Sequence, residues 1–379
     1  MNTTAKVIAW VVVLVLIIWG IVSLSKKSGT SAETIKIGVI LPLTGDAAGY
    51  GESAQNVLAL AADEVNKAGG VNGKQLEMIY EDAKCSGPGA ASAAQKLVNA
   101  DKVQVIIGGF CSSESLAAEP ITTAGKVLLF SSASSSPDLT GKSLYFARDY
   151  PSDASQGKVL AGIAYNDKSW KNVAFIQEQL DYPLGIYKAF DANFSILGGK
   201  TLKEEFPSDT TDFRSSLTKL RAQKPDALFI DTQTPAAAQR VLKQLVDLKW
   251  KVPLLFADII NDAATLSSNK TAMEGALLAE FYANPSNPKL IKLLDSYKAK
   301  YGIDLPYLSY SQTEYDSVYL IADGIKAVGY NGEKLADWVR TVKDWDGASG
   351  QITIGADGDP IAGHVPKIIK DGAVMLYTK

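Results

Sequence analysis

From residue 34 onward the chain alternates short β-branched runs with longer stretches of helical spacing. Strands are expected at 35–41, 75–80, 103–107 and 127–130. Between them helices are expected at 50–68, 89–99 and 113–124. The first carries Val57, Leu58, Leu60, Ala61 and Val65 on one face and closes on Gly69-Gly70. The pattern restarts near Tyr150-Pro151, with helices expected at 155–165, 182–194, 212–222 and 236–248 and strands at 173–177, 201–206, 227–231 and 253–256. An apolar stretch at 276–281 leads into a third region. That region has helical spacing at 288–301, 311–328 and 334–343, a strand at 350–354, and a strand or strand pair at 366–376. Strands alternating with helices imply parallel sheets covered on both faces. Two successive units of similar size imply two similar α/β lobes.

The first 33 residues follow a different pattern. Residues 7–24 form an almost unbroken apolar run with Trp10 and Trp19 near its ends, long enough for a helix to cross a bilayer core. It reads as an uncleaved membrane anchor in preference to a signal peptide, because the small-residue cleavage site near Ser23-Leu24-Ser25 is poor. Lys26 and Lys27 oppose the outward orientation by the positive-inside rule. No cysteine follows the run, which excludes a lipid-anchored form. Either reading places the remainder outside the cytoplasm, joined by a short tether at 26–33.

Composition narrows the chemistry. The 379 residues carry a formal net charge of −3 and no basic stripe, so a nucleic-acid partner is not expected. One histidine, His364, excludes paired-histidine zinc sites and leaves a Ser-His-Asp system one candidate base. It reads as a surface or loop residue. Gly45 to Gly51 lacks the GxGxxG spacing of a dinucleotide turn, and Gly141-Lys142-Ser143 lacks the earlier glycine of a phosphate loop. Glu204-Glu205 and the Asp357/Asp359 pair read as solvated charge. No metal or cofactor is expected. Cys85 and Cys111, the two cysteines, could be thiols of several kinds. In an exported protein they more often form one structural disulfide, here between two strand ends expected to be neighbours.

What remains is hydroxyl and aromatic groups in loops after strands, where open α/β sheets bind ligands. Residues 42–51 offer Tyr50, 111–115 offer Ser112 and Ser113, and 131–138 is a serine-rich turn. Serines at helix N-termini, beside free backbone N–H groups, suit a small anion.

The run Ile37-Gly38-Val39-Ile40-Leu41-Pro42-Leu43-Thr44-Gly45, then Tyr50-Gly51 and Ala62 to Gly73, resembles the opening of the type I periplasmic binding proteins, in their branched-chain amino-acid branch. Tyr80 to Cys85, Ile106 to Ser113 and Ser131 to Thr140 continue it. The resemblance implies two Rossmann-like lobes joined by three crossovers, with 34–150 and 282–360 in one lobe and 151–281 and 361–379 in the other. It also implies a non-enzymatic receptor that closes on an amino acid and serves an ABC-transporter permease.

Carried over by position, Ser112, Ser135 and the backbone of Ala133 would hold the ligand's α-carboxylate and α-amino group, with Ser113 adjacent. Tyr50 would line the side-chain pocket, Tyr182 would close from the second lobe, and Asp258 would pair with the α-ammonium. A further family aromatic falls at Thr232-Gln233-Thr234, so Gln233 replaces it and leaves room for a polar ligand. Two other readings stand beside this one: an anchored sensory ectodomain with a separate signalling partner, and an α/β enzyme acting on a small acid.

Overall fold

The computed structural model describes residues 34–379; the apolar run 7–24, and the anchor or signal peptide read from it, lie outside the described residues. Among the described residues no helix is long and apolar enough to cross a membrane.

The first sheet is built from β1 (Ile35–Leu41), β2 (Leu76–Asp82), β3 (Val105–Gly108), β4 (Leu128–Ser131) and β5 (Phe146–Arg148). Its order is β2-β1-β3-β4-β5, with every pair parallel. β3 and β4 are buried throughout, and β1 exposes only Lys36, as strands covered on both faces must be. The connecting helices are α1 (Ala48–Lys67), α2 (Gly87–Asn99) and α3 (Ser112–Ala124). The sequence pattern did not expose β5, a three-residue edge strand too short to show alternation.

After β5 the chain enters a second sheet through α4 (Asp153–Gly162). It continues as β6 (Asn172–Glu178), α5 (Asp181–Ile196), β7 (Lys200–Phe206), α6 (Arg214–Ala222), β8 (Ala227–Asp231), α7 (Pro235–Asp247), β9 (Leu254–Phe256), α8 (Ala263–Ser268) and β10 (Leu277–Phe281). It then returns to the first lobe for α9 (Pro288–Tyr301), α10 (Leu308–Val328), α11 (Gly332–Val339) and a ribbon of β11 (Trp345–Gly347) with β12 (Gly350–Ile352). A third passage delivers β13 (His364–Lys370) and β14 (Ala373–Leu376) to the second sheet. That sheet has the order β14-β13-β10-β9-β8-β6-β7. Its β6–β10 segment is parallel, whereas β13 runs antiparallel to both neighbours. The result is an α/β fold of two lobes joined by three crossovers.

Two close approaches require glycine. Gly108 ends β3 at φ +126°, where a Cβ would lie 2.3 Å from the Ile40 carbonyl oxygen. Gly157 lets α4 press against α5, where a Cβ would lie 2.5 Å from the Phe190 backbone nitrogen. α4 starts at Asp153, ahead of the expected 155, because the Ser152 hydroxyl accepts from Ala154 N at 3.4 Å and fixes the helix start.

Two expectations about polar residues are corrected. His364 is buried rather than on the surface, its Nδ1 2.5 Å from the Ser155 hydroxyl. Burial pushes its pKa down to about 3, and the Arg148 charge pushes the same way. Asp359 is not simply solvated charge: both its oxygens accept from the wholly buried Arg148, at 2.7 and 2.8 Å.

Candidate functional site

The C-terminal ends of the strands in both sheets converge on one narrow cleft. Three loops of the first lobe meet there. Tyr50, in the first turn of α1, is buried and stacks on Phe110 with ring centroids 5.2 Å apart, and its ring lies 4.3 Å from that of Tyr307. Its hydroxyl donates to the Ile259 carbonyl of the second lobe at 2.9 Å, so the lobes touch across the cleft. The loop from Gly108 to Cys111 and the loop from Ser131 to Ser136 are stitched together by serines. Ser131 and Ser134 hydroxyls donate to the Gly109 carbonyl at 2.9 and 2.8 Å, and Ser134 also bonds Ser115 at 2.7 Å.

The serine-rich turns therefore divide their labour. Ser115, Ser131 and Ser134 build the wall, while Ser112 and Ser135 face the space it encloses. Ser112 Oγ accepts from Ser136 N at 3.1 Å, a bond that does not use the hydroxyl's own proton. Ser113 is buried but does not line the cavity, and its hydroxyl has no hydrogen-bond partner.

The second lobe supplies an acid held by two phenols. Asp258 follows β9 and is almost wholly buried. One of its oxygens accepts from Tyr182 Oη at 2.6 Å, the other from Tyr150 Oη at 2.5 Å. Tyr182 sits in the first turn of α5; Tyr150 lies on the crossover immediately after β5 and stacks on Tyr310 at 4.8 Å. Burial first, and then the Asp258 charge, pushes Tyr150, Tyr182 and Tyr310 well above the ordinary tyrosine value. All three phenols therefore stay protonated. Gln233 is buried at the mouth of the lobe, its backbone N–H donating to Glu178 Oε2 at 2.9 Å.

These groups draw together around one narrow cavity. It is lined by Tyr50, Ser112, Ala133, Ser135, Tyr182 and Gln233. Asp258 does not line it directly, but Tyr182 connects the two. Cys111, Phe110, Ile259 and Tyr310 complete the lining, and the last three were not picked out by sequence pattern. Tyr150 was also missed as a site residue, because Tyr150-Pro151 reads as a boundary between units. Tyr310 sits in the first turn of α10, ahead of the helix expected at 311–328. A larger groove beside Trp170 and Trp250 lies toward the N-terminal ends of the second sheet's strands, away from these loops.

Cys85 and Cys111 form a disulfide with Cα atoms 5.4 Å apart. The strands they follow are not neighbours as expected, since β1 lies between β2 and β3; the bond reaches across the end of β1. Glu114 reinforces it by accepting from Cys85 N at 2.8 Å and Cys111 N at 3.1 Å. Burial pushes this carboxyl up to about 7 against the pull of those N–H groups. With a sequence separation of 26 between the cysteines, joint replacement by alanine should cost about 3.5 kcal/mol on the chain-entropy account. Urea unfolding checks this; an unchanged midpoint would show that the bond does not restrain the loop.

Residues 34–364 match the periplasmic binding protein family. The chain is 28% identical over 346 residues to an amino acid binding protein of Pseudomonas aeruginosa, covering 86% of this chain and 91% of that one. It is 29% identical over 334 residues to a leucine-, isoleucine-, valine-, threonine- and alanine-binding protein of the same organism, covering 87% and 88%. Among solved structures, a leucine binding protein from Thermotoga maritima superposes with a TM-score of 0.84 at 30% identity, covering 91% of this chain and 98% of that one. The isoleucine complex of a branched-chain amino acid transporter substrate binding protein from Streptococcus pneumoniae gives 0.81 at 27%, covering 92% and 100%. Fold, loop placement and likeness agree: the chain belongs to the periplasmic binding protein family, in its type I, branched-chain amino-acid branch.

Proposed function

We propose that this protein captures an amino acid in the cleft by lobe closure and presents the closed form to an ABC importer at the outer face of the membrane. The observation that carries this reading is the division of charge across the cleft. The first lobe offers neutral hydroxyls and backbone groups at Ser112, Ala133 and Ser135, suited to an α-carboxylate. The second lobe offers Asp258, held just behind the lining by the phenol of Tyr182 and suited to an α-ammonium that displaces a phenol. A zwitterion bridging the two gains contacts only when the lobes are together, so binding shifts the equilibrium toward closure. Tyr50 bonding to Ile259 O is part of that closed arrangement.

No group that makes or breaks bonds is needed for this work. Residues 7–24 would supply the export signal or the anchor that holds the receptor beside its permease. A screen of the amino acids by thermal shift on the full chain tests the proposal. At least one should raise the melting temperature, by linkage worth about 2.7 kcal/mol at one hundred times its Kd. No shift with any amino acid would overturn it.

A further inference from the structure

The second lobe carries more buried acceptors than an aliphatic amino acid can use. Asp231 ends β8 and is wholly buried, with neither carboxylate oxygen partnered. Gln177 lies opposite it in register on β6, and its Oε1 is also unpartnered. Side chains two residues apart on a strand share a face. Phe175 and Phe229, two residues back on the same strands, pack against Phe190 of α5. Gln177 and Asp231 therefore face the side of the sheet covered by α5.

On that side stands the first turn of α4. Asp153 Oδ2 and Gln156 Oε1 there are both buried without a donor. The group adjoins the cavity at two points. The Ser135 carbonyl, from a residue lining the cavity, accepts from Asp153 N at 2.8 Å. Gln233 lines the cavity, is 7% exposed, and its Oε1 has no partner.

The nearby cations are committed elsewhere. Arg148 is held by Asp359, and Lys203 bonds Glu205 at 2.8 Å. With Asp258 reserved for an α-ammonium, Asp153 Oδ2, both oxygens of Asp231 and the side-chain carbonyls of Gln156, Gln177 and Gln233 remain as acceptors awaiting donors. Buried polar groups are paired in folded proteins, so a ligand that belongs here brings donors to them.

Resting on the amino-acid-binding reading above, we infer that this site selects an amino acid whose side chain ends in a cation, an ammonium or guanidinium, with Asp231, Gln177 and Gln233 receiving that group. An aliphatic side chain would leave the same atoms buried and unpaired, which penalises it.

The test is calorimetric titration of the full chain with arginine, lysine, ornithine, leucine, isoleucine and valine. At least one basic amino acid should bind tenfold or more tighter than leucine. Asp231→Asn should weaken that ligand at least tenfold and change leucine binding by less than about twofold. Gln177→Met gives the same comparison should Asp231→Asn fail to fold. Leucine binding as tightly as every basic amino acid, or variants that leave basic ligands unaffected, would overturn the inference while leaving the receptor reading intact. Absence of binding by all six amino acids, with no shift in the wider screen, would overturn both.

Discussion

Asp258→Asn is expected to weaken amino-acid binding by at least 100-fold while leaving the fold in place. The substitution keeps size and shape but removes the charge that would face the α-ammonium. Removing one member of a buried, hydrogen-bonded charge pair at a binding site costs about 2–5 kcal/mol, and 100-fold corresponds to about 2.7 kcal/mol. The amide makes matters worse in one further respect. Asp258 now accepts from two phenols on its two oxygens. An asparagine has one acceptor oxygen, so its NH₂ would meet the hydroxyl of Tyr150 or Tyr182, donor against donor, until that phenol rotates. Tyr182→Phe should therefore produce a smaller loss than Asp258→Asn, because it removes one donor and leaves the charge. Titration of a bound amino acid into both variants checks the ranking. Wild-type affinity in Asp258→Asn would place the ammonium elsewhere in the cleft.

The order of lobes and most elements could be read from the sequence because parallel strands and amphipathic helices repeat their hydrophobic pattern over many residues. Apolar runs as short as β9 could still be read between helices, but β5 and α8, of three and six residues, carry no such run and emerge only from pairing and packing. The site was legible where it lies in loops directly after strands. Tyr50, Ser112, Ala133, Ser135, Tyr182 and Gln233 share one cavity although they span more than 180 residues of chain.

The serines show where reading stops. Ser112 and Ser135 face the cavity, Ser131 and Ser134 tie backbone to backbone, and Ser113 does neither. Composition is identical in all five, and only the direction of each side chain separates them. Asp359 and His364 failed for a related reason. Both lie in a glycine-rich passage that looks exposed by composition, yet the third crossover carries it back against α4 and β5.

That crossover also meets the fold's most demanding buried charge. Arg148 ends β5 with its side chain wholly enclosed, and each nitrogen of its guanidinium has work. Nε and Nη2 hold Asp359, Nη2 also donates to Thr140 Oγ1 at 2.9 Å, and Nη1 donates to the Ser134 and Ser136 carbonyls at 3.0 Å each. One planar group therefore fastens the serine-rich loop, which presents Ala133 and Ser135, to the segment that links the lobes.

Arg148→Met is expected to lose about 3–5 kcal/mol of stability, since it strips Asp359 of its cation, leaving it the Thr140 hydroxyl, and takes the donor from the buried Ser134 carbonyl. Arg148→Lys should recover only part of this, because an ammonium cannot reproduce the forked geometry. Removing both charges, as Arg148→Met with Asp359→Leu, should cost less than Arg148→Met alone, because no carboxylate is then stranded. Because the loop carries half of the proposed carboxylate site, ligand affinity should fall with Arg148→Met by more than the stability loss alone explains when measured well below the melting temperature. Urea unfolding and titration on the same samples separate the two effects. A loss below about 1 kcal/mol would mean that water replaces the guanidinium and that the loop is held by its serines alone.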